Sequence, residues 1–380
     1  MTLARVFAPR GSSGARRPVE RAVVALMAML LLAGLVVLFS ATYYAAQDRG
    51  DALSAVKKQL AGIALGAIAC FACAQVPHRV YRDPRLIIAL LVCSVGLLAL
   101  VLVPGVGVVV NGSRRWLSLA GVSFQPSELA KFAMVLYMAA ALSGRGERVR
   151  RLFTGILPLL AVPGLLFLLI LQQPNLSTGG SVVIVAILMV AMAGARWPHM
   201  GLLGLSGALV GAAYAWSAPY RRERLLSFRD PFAKMSDEGY QLSQSLIAFG
   251  SGGIFGQGLG AGRQKFAYLP YPESDFIFAI VGEDFGWVGS VAVILLFCTF
   301  LFVGLRVAVR CPDHHGCLLA AGVTSMIGVQ AFINIGVVVG ILPTTGLPLP
   351  FFSAGGTSIS IMMAAVGVLL SVSRSADRFG

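Results

Sequence analysis

The apolar residues of this chain fall into blocks of roughly 17 to 25, the length of helix that crosses the hydrocarbon core of a bilayer. Ten blocks are legible, at about 22–46, 59–76, 86–104, 127–143, 152–172, 178–194, 198–216, 275–305, 317–342 and 349–373. The eighth is too long for one straight crossing, which predicts a tilted or irregular start. Ten crossings return both termini to one side. Basic stretches such as "RRPVER", "HRVYRDPR", "GRGERVRR" and "RVAVRCPDHH" then share that side, and the positive-inside rule makes it cytoplasmic. The pattern predicts an all-α polytopic membrane protein of about ten transmembrane helices. It has a basic cytoplasmic tail over 1–21, a single transmembrane domain over 22–373, and a short cytoplasmic tail over 374–380. One large extracytoplasmic loop, 217–274, lies between helices 7 and 8. The first block is too long for a signal-peptide core and reads as a retained helix.

Composition agrees. The 380 residues are 57% hydrophobic and 12% charged, against about 25% charged in soluble domains. The net charge of +14 does not form one solvated basic face, so it reads as topology rather than as a nucleic-acid surface. Cys70, Cys73, Cys93, Cys298, Cys311 and Cys317 lie in crossings or inside loops, where no structural disulfide is expected. His78, His199, His314 and His315 all fall at cytoplasmic ends, leaving no histidine for chemistry on the outer face.

The long loop carries Arg221, Arg222, Arg224, Arg229, Lys234, Arg263 and Lys265. It fits an interfacial helix with snorkelling cations, or a basic vestibule for an anionic, membrane-borne substrate. Its "GSGGIFGQGLGAG" (250–262) lacks a preceding strand and a G-K-[ST] ending, which excludes a P-loop. It remains a backbone able to approach a ligand closely. "NGSRRWLSLAGVSFQPSELAKFA" (111–133) places Glu128 and Lys131 on one helix face, as a local ion pair or as the lining of a polar cavity. "QQPNLSTGG" (172–180) is a tight turn, or a cavity rim offering Asn175. "GILPTTGLPLPFFSAGGTS" (340–358) is broken backbone at membrane depth, which protein or a water-filled cavity must satisfy.

Only 16 residues are acidic, and four of them, Glu273, Asp275, Glu283 and Asp284, crowd into "YPESDFIFAIVGEDFG". The sequence predicts Pro270 and Pro272 in extended chain and Ser274 capping a helix that begins at Asp275. Glu283 and Asp284 then lie about 12 to 14 Å deeper. Asp275 is either a helix-terminal carboxylate stabilised by the dipole or a catalytic group. Glu283 reads as a buried acid that fixes helix packing.

These segments, spread over residues 20–373, resemble the SEDS family, the FtsW/RodA/SpoVE proteins of bacterial shape, elongation, division and sporulation. "GYQLSQSLIAFGSGG" with "GLGAGRQKFAYLP" is most similar to the FtsW division branch. The resemblance implies a glycosyltransferase that polymerises lipid II into peptidoglycan strands at the outer face of the cytoplasmic membrane, at the division septum. It places the catalytic carboxylate at Asp275, in "SDFIF". It places Glu128 and Lys131 in the cavity motif "QPSE-x-x-K". Arg115, Lys131, Arg263 and Lys265 are candidates to stabilise the pyrophosphate leaving group, and Glu128, Asn175 and Ser353 complete the candidate substrate-binding set. Two departures stand out: Glu273-Ser274-Asp275 replaces the usual "HTD", and Asn175 replaces the aspartate of "QPD". The donor is already activated, so no nucleotide is required, and the chemistry admits a divalent cation, Mg or Mn. The implied partners are a class B penicillin-binding protein, other divisome proteins and membrane lipid. Two rivals are a flippase for the lipid-linked precursor and a non-catalytic scaffold. A flippase needs polar groups along the whole crossing, and here they gather at the outer end.

Overall fold

A chain inside a bilayer must satisfy its backbone polar groups by itself, and the computed structural model places one helix on each of the ten blocks. It describes residues 18–47, 53–110, 113–119, 122–217, 219–235, 239–264, 269–270 and 272–376, so residues 1–17 of the N-terminal tail, 377–380 of the C-terminal tail and Lys265 lie outside the described residues. In order, α1 is Pro18–Gln47, α2 Ser54–Gln75, α3 Pro84–Leu102, α4 Pro126–Ser143, α5 Leu157–Leu171, α6 Leu176–Met192 and α7 Trp197–Trp216. The long loop contributes α8 (Pro219–Ser227) and α9 (Tyr240–Gly252). Then come α10 (Ile277–Arg310), α11 (His314–Val338) and α12 (Gly356–Ala376). Among the described residues seven helices are long and apolar enough to cross a membrane, and α6 is a shorter apolar helix.

Two features differ from the sequence pattern. A three-stranded antiparallel sheet, β1 (Gly107–Val110), β2 (Ser113–Leu119) and β3 (Val122–Phe124), stands between α3 and α4. Its signal was Asn111-Gly112 between two runs rich in β-branched and aromatic residues. The ninth and tenth helices are shorter than their blocks, since α11 ends at Val338 and α12 starts only at Gly356. The intervening apolar residues are an irregular segment rich in proline, and Leu347, Leu349, Phe351 and Phe352 are buried in the core without being helical.

The bundle is built around α11, which is apolar on all sides and buried over most of its length. The helices α2 and α12 approach through small residues. A Cβ at Gly62 would stand 2.5 Å from Gly356 Cα, and one at Gly367 would stand 2.3 Å from Cys70 O. At one end of the bundle Arg374 Nε donates to Glu20 Oε1 at 2.6 Å, so the first and last helices present chain termini on the same side. His78 Nε2 lies 3.2 Å from Asp313 Oδ2 there. Burial alone would raise the Asp313 carboxyl, but the Gly316 N–H and His78 outweigh it and hold it below its usual range.

The irregular start expected of the eighth crossing takes the form of a break. Gly286, with φ 67° and ψ −160°, interrupts α10 after a short first half. A continuous helix would bond Trp287 N–H to Glu283 O and Val288 N–H to Asp284 O. Instead the loop after α9 takes all four groups. Gln257 N–H donates to Glu283 O (2.9 Å) and Gly258 N–H to Asp284 O (3.1 Å), while Trp287 N–H donates to Gly253 O (2.9 Å) and Val288 N–H to Ile254 O (3.1 Å). The approach is close: a Cβ at Gly256 would stand 2.2 Å from Asp284 O. The buried Glu283 carboxylate accepts the backbone N–H groups of Arg263 and Gln264, and Ser40 donates to Asp284 across the α1–α10 contact. The glycine-rich stretch therefore clasps a broken helix.

Gly286→Val places a β-branched residue at positive φ, with its Cβ directed at Gly256 N, 2.3 Å away. It is expected to lower stability by roughly 2 kcal/mol or more, measured as thermal unfolding of the protein in nanodiscs. Unchanged unfolding would mean that the clasp contributes nothing.

Candidate functional site

The end of the bundle opposite His78 and Asp313 gathers the sheet, the 172–175 turn, the start of α10 and the irregular segment 339–355. Asn334 lies on α11 nineteen residues beyond His315, about 28 Å along the helix. The segment is held by neutral amides from the flanking helices. Gln59 Nε2 donates to Ser353 O (3.0 Å), and Gln59 Oε1 accepts from Gly355 N–H (3.1 Å). Gln330 Nε2 donates to Pro348 O (2.9 Å), and Asn334 Nδ2 to Leu347 O (2.7 Å). An amide both donates and accepts without carrying charge, which suits it to loose backbone at membrane depth.

The same scaffold grips the turn that carries Asp275. Three successive carbonyls are occupied: Glu273 O by Ala354 N–H (2.8 Å), Ser274 O by Ser353 Oγ–H (2.6 Å) and Asp275 O by Asn334 Nδ2 (2.7 Å). Residues 272–276 consequently form a turn, and the helix begins at Ile277 with Phe276 at its N-cap. This corrects two expectations. Ser274 does not cap the helix, and Asp275 is not in its first turn; Ser274 Oγ donates to Asp275 Oδ1 at 3.0 Å instead. Pro272 sits in the turn, not in extended chain. The carbonyls that would begin a helix are already bound elsewhere.

Asp275 is half-buried and faces Gly346. A Cβ at residue 346 would stand 3.3 Å from Asp275 Oδ2 and 3.5 Å from Arg115 Nη1, so carboxylate and guanidinium border the same small space over Gly346. Arg115 is oriented from β2 by the 172–174 turn, its Nε donating to Gln173 O (3.2 Å) and its Nη2 to Pro174 O.

The other sequence candidates divide. Glu128 and Lys131 form a buried ion pair at 2.8 Å. Ser358 Oγ donates to Glu128 Oε2 (3.1 Å) and Lys131 Nζ to Gln330 Oε1, so the pair braces α4 against α11 and α12 one helical turn from Asn334. Asn175 is the N-cap of α6, accepting from Thr178 N–H at 3.2 Å. Ser353 anchors backbone at Leu349 N–H and Ser274 O. Arg263 is exposed and in no ion pair among the described residues. Among the described residues no group of three or more His, Cys, Asp or Glu could hold a metal ion. Gln59, Gln330, Asn334 and Gly346 were missed, although the signal for the first three was present, as carboxamides inside apolar helices.

Removing one partner of the buried pair leaves an uncompensated charge. Lys131→Met alone is expected to cost about 3 kcal/mol or more, and Lys131→Met with Glu128→Leu distinctly less, in thermal unfolding of the purified protein. Equal losses would show that the two charges are not coupled.

The family profile described as "Cell cycle protein", that of FtsW, RodA and SpoVE, matches residues 20–378. Stage V sporulation protein E of Bacillus subtilis is 44% identical over 91% of this chain and 94% of its own. The probable peptidoglycan glycosyltransferase FtsW of Saccharophagus degradans is 41% identical over 97% of this chain and 96% of its own. Among solved structures, a chain of a peptidoglycan synthase complex that coordinates polymerization and crosslinking is similar, with 31% identity, a TM-score of 0.77, and 93% of this chain and 97% of that one covered. The rod shape determining protein RodA of Thermus thermophilus is 28% identical, with a TM-score of 0.68 over 93% of this chain and 95% of that one.

Proposed function

We propose that this chain, which belongs to the FtsW, RodA and SpoVE family of cell cycle proteins, is a peptidoglycan glycosyltransferase that polymerises lipid II at the outer face of the cytoplasmic membrane. Both termini are then cytoplasmic, as the basic loops require. The observation that carries the reading is the Asp275 carboxylate, fixed through three carbonyls and set beside Arg115 across Gly346. The names of the relatives supply the reaction class.

The transfer joins the 4-hydroxyl of one sugar to the anomeric carbon of another, and the bond from that carbon to the lipid pyrophosphate breaks. Asp275 takes the proton of the attacking hydroxyl as general base. Its grip on the scaffold holds the carboxylate in one place, which is worth rate through orientation. The electron pair of the breaking bond passes to the pyrophosphate, and Arg115 is the cation placed to meet the developing charge. Lys131 is committed to Glu128 and Gln330 and acts as a brace. A bound pyrophosphate beside Asp275 raises the pKa of the carboxyl by like-charge repulsion and makes it a better base. Among the described residues no group of three His, Cys, Asp or Glu gathers around Asp275.

A class B penicillin-binding protein as partner is supported by the likeness to a chain of a peptidoglycan synthase complex. Work at the division septum, with other divisome proteins, is supported by the FtsW relatives. The sporulation relative makes localisation of a fluorescent fusion the test of that branch.

In nanodiscs with its cognate penicillin-binding protein, the wild type is expected to convert lipid II to glycan strands resolved on gels. Asp275→Asn should lose about 100-fold or more in rate while still binding the partner. Gly346→Ala, which inserts a methyl between Asp275 and Arg115, should lose roughly tenfold through misplacement. A fully active Asp275→Asn would refute the base role; a wild type that moves lipid II across the bilayer without making strands would favour a flippase.

A further inference from the structure

β2 carries two arginines in succession, and its pairing with β1 is irregular there: Val108 pairs with Trp116 and Val109 with Arg114, so Arg115 is the extra residue of a β-bulge, which re-aims a side chain. Arg115 turns towards Gly346 and Asp275. Arg114 instead lines a cavity of about 420 Å³, together with Leu102, Val109, Ser113, Gln172 and Pro174. The 172–174 turn meets both arginines, since Pro174 O accepts from Arg115 while Gln172 and Pro174 line the cavity with Arg114. Leu102 ends α3, and Val106, Val108 and Val109 beside it are exposed, so the cavity opens from an apolar edge where a helix leaves the membrane. Arg114 is in no ion pair among the described residues. A guanidinium lining a cavity above an apolar edge fits the phosphate of a membrane-borne lipid, with the planar fork for the oxygens and the edge for the chain.

The reaction proposed above consumes two such lipids in different positions. The donor's pyrophosphate leaves, so it must lie at the reaction centre, beside Arg115. The acceptor keeps its pyrophosphate, and its attacking hydroxyl lies at the far end of its sugars. That pyrophosphate must therefore be held away from Asp275 by the length of the sugar unit. We propose that the cavity beside β2 is the acceptor subsite: Arg114 pairs with the pyrophosphate of the acceptor lipid, and the polyprenyl chain leaves over Val106 and Val108. This rests on the glycosyltransferase reading, and it assigns the two arginines to the two substrates.

The test uses two blocked lipid II analogues with the full chain in nanodiscs. One lacks the 4-hydroxyl and serves only as donor; the other carries a methylene in place of the anomeric oxygen and serves only as acceptor. Arg114→Ala is expected to raise KM for the acceptor-only analogue about tenfold or more and leave KM for the donor-only analogue unchanged, with Arg114→Lys recovering most of the loss. Rises in step for both analogues, or for neither, would overturn the assignment. Direct binding of the acceptor-only analogue tests the subsite independently of turnover. If no coupling occurs but Arg114→Ala weakens that binding, the subsite stands and the catalytic reading falls. If binding ignores Arg114, the subsite falls. Loss of the Arg114-dependent binding when phosphatidylglycerol is added to the nanodisc would assign the cavity to bulk anionic lipid and equally overturn it.

Discussion

Irregular backbone at membrane depth stands only where protein or a water-filled cavity supplies its hydrogen bonds, and two places among the described residues depend on this. The break at Gly286 frees two N–H groups and two carbonyls, and the loop 253–258 binds all four. The segment 339–355 runs through the core as irregular chain between α11 and α12, and Gln59, Gln330 and Asn334 bind its carbonyls. Everything that positions Asp275 follows from those two repairs. The first fixes the short half of α10 that the turn leads into; the second supplies the groups that grip the turn itself.

The charged residues divide along the same line. Glu283 and Asp284 are buried beside the break, the first collecting N–H groups from the loop and the second taking Ser40 from α1. Glu128 and Lys131 offset one another inside the bundle, where either alone would be costly. Asp275 differs in being only half-buried, with its backbone carbonyl engaged and its carboxylate facing the space over Gly346. Four acids crowd into sixteen residues because two of them hold a helix break directly beneath the turn that presents a third.

The ten helices were legible because hydropathy over a span length is a strong signal, and the irregular start of the eighth followed from its excess length. The helix start was not legible, because "PESD" reads locally as a cap while the competing donors come from Ser353, Ala354 and Asn334, some sixty to eighty residues away. The glycine-rich stretch announced close approach without naming what is approached. Asn175 showed the same ambiguity: its position in a turn before a helix suited the cap as readily as a cavity rim. Arg115 and Asp275 were each conspicuous, but the glycine between them is one of 44, and only the fold distinguishes it.

The distribution of polar groups also separates an enzyme from a conduit. A flippase must offer a headgroup polar contacts from one face to the other. The polar side chains around Gln330 and Asn334 cluster at the Asp275 end of α11, and His78, Asp313 and His315 lie at the other. Between them α11 buries Leu318, Leu319, Val323, Met326 and Ile327, while Phe297 and Phe300 pack on Phe352 and Phe351. Opening a polar path would require parting that apolar layer, whose packing is also what seats the segment that holds Asp275. The same apolar layer thus also supports the site, so the packing of the core and the placing of Asp275 are one constraint.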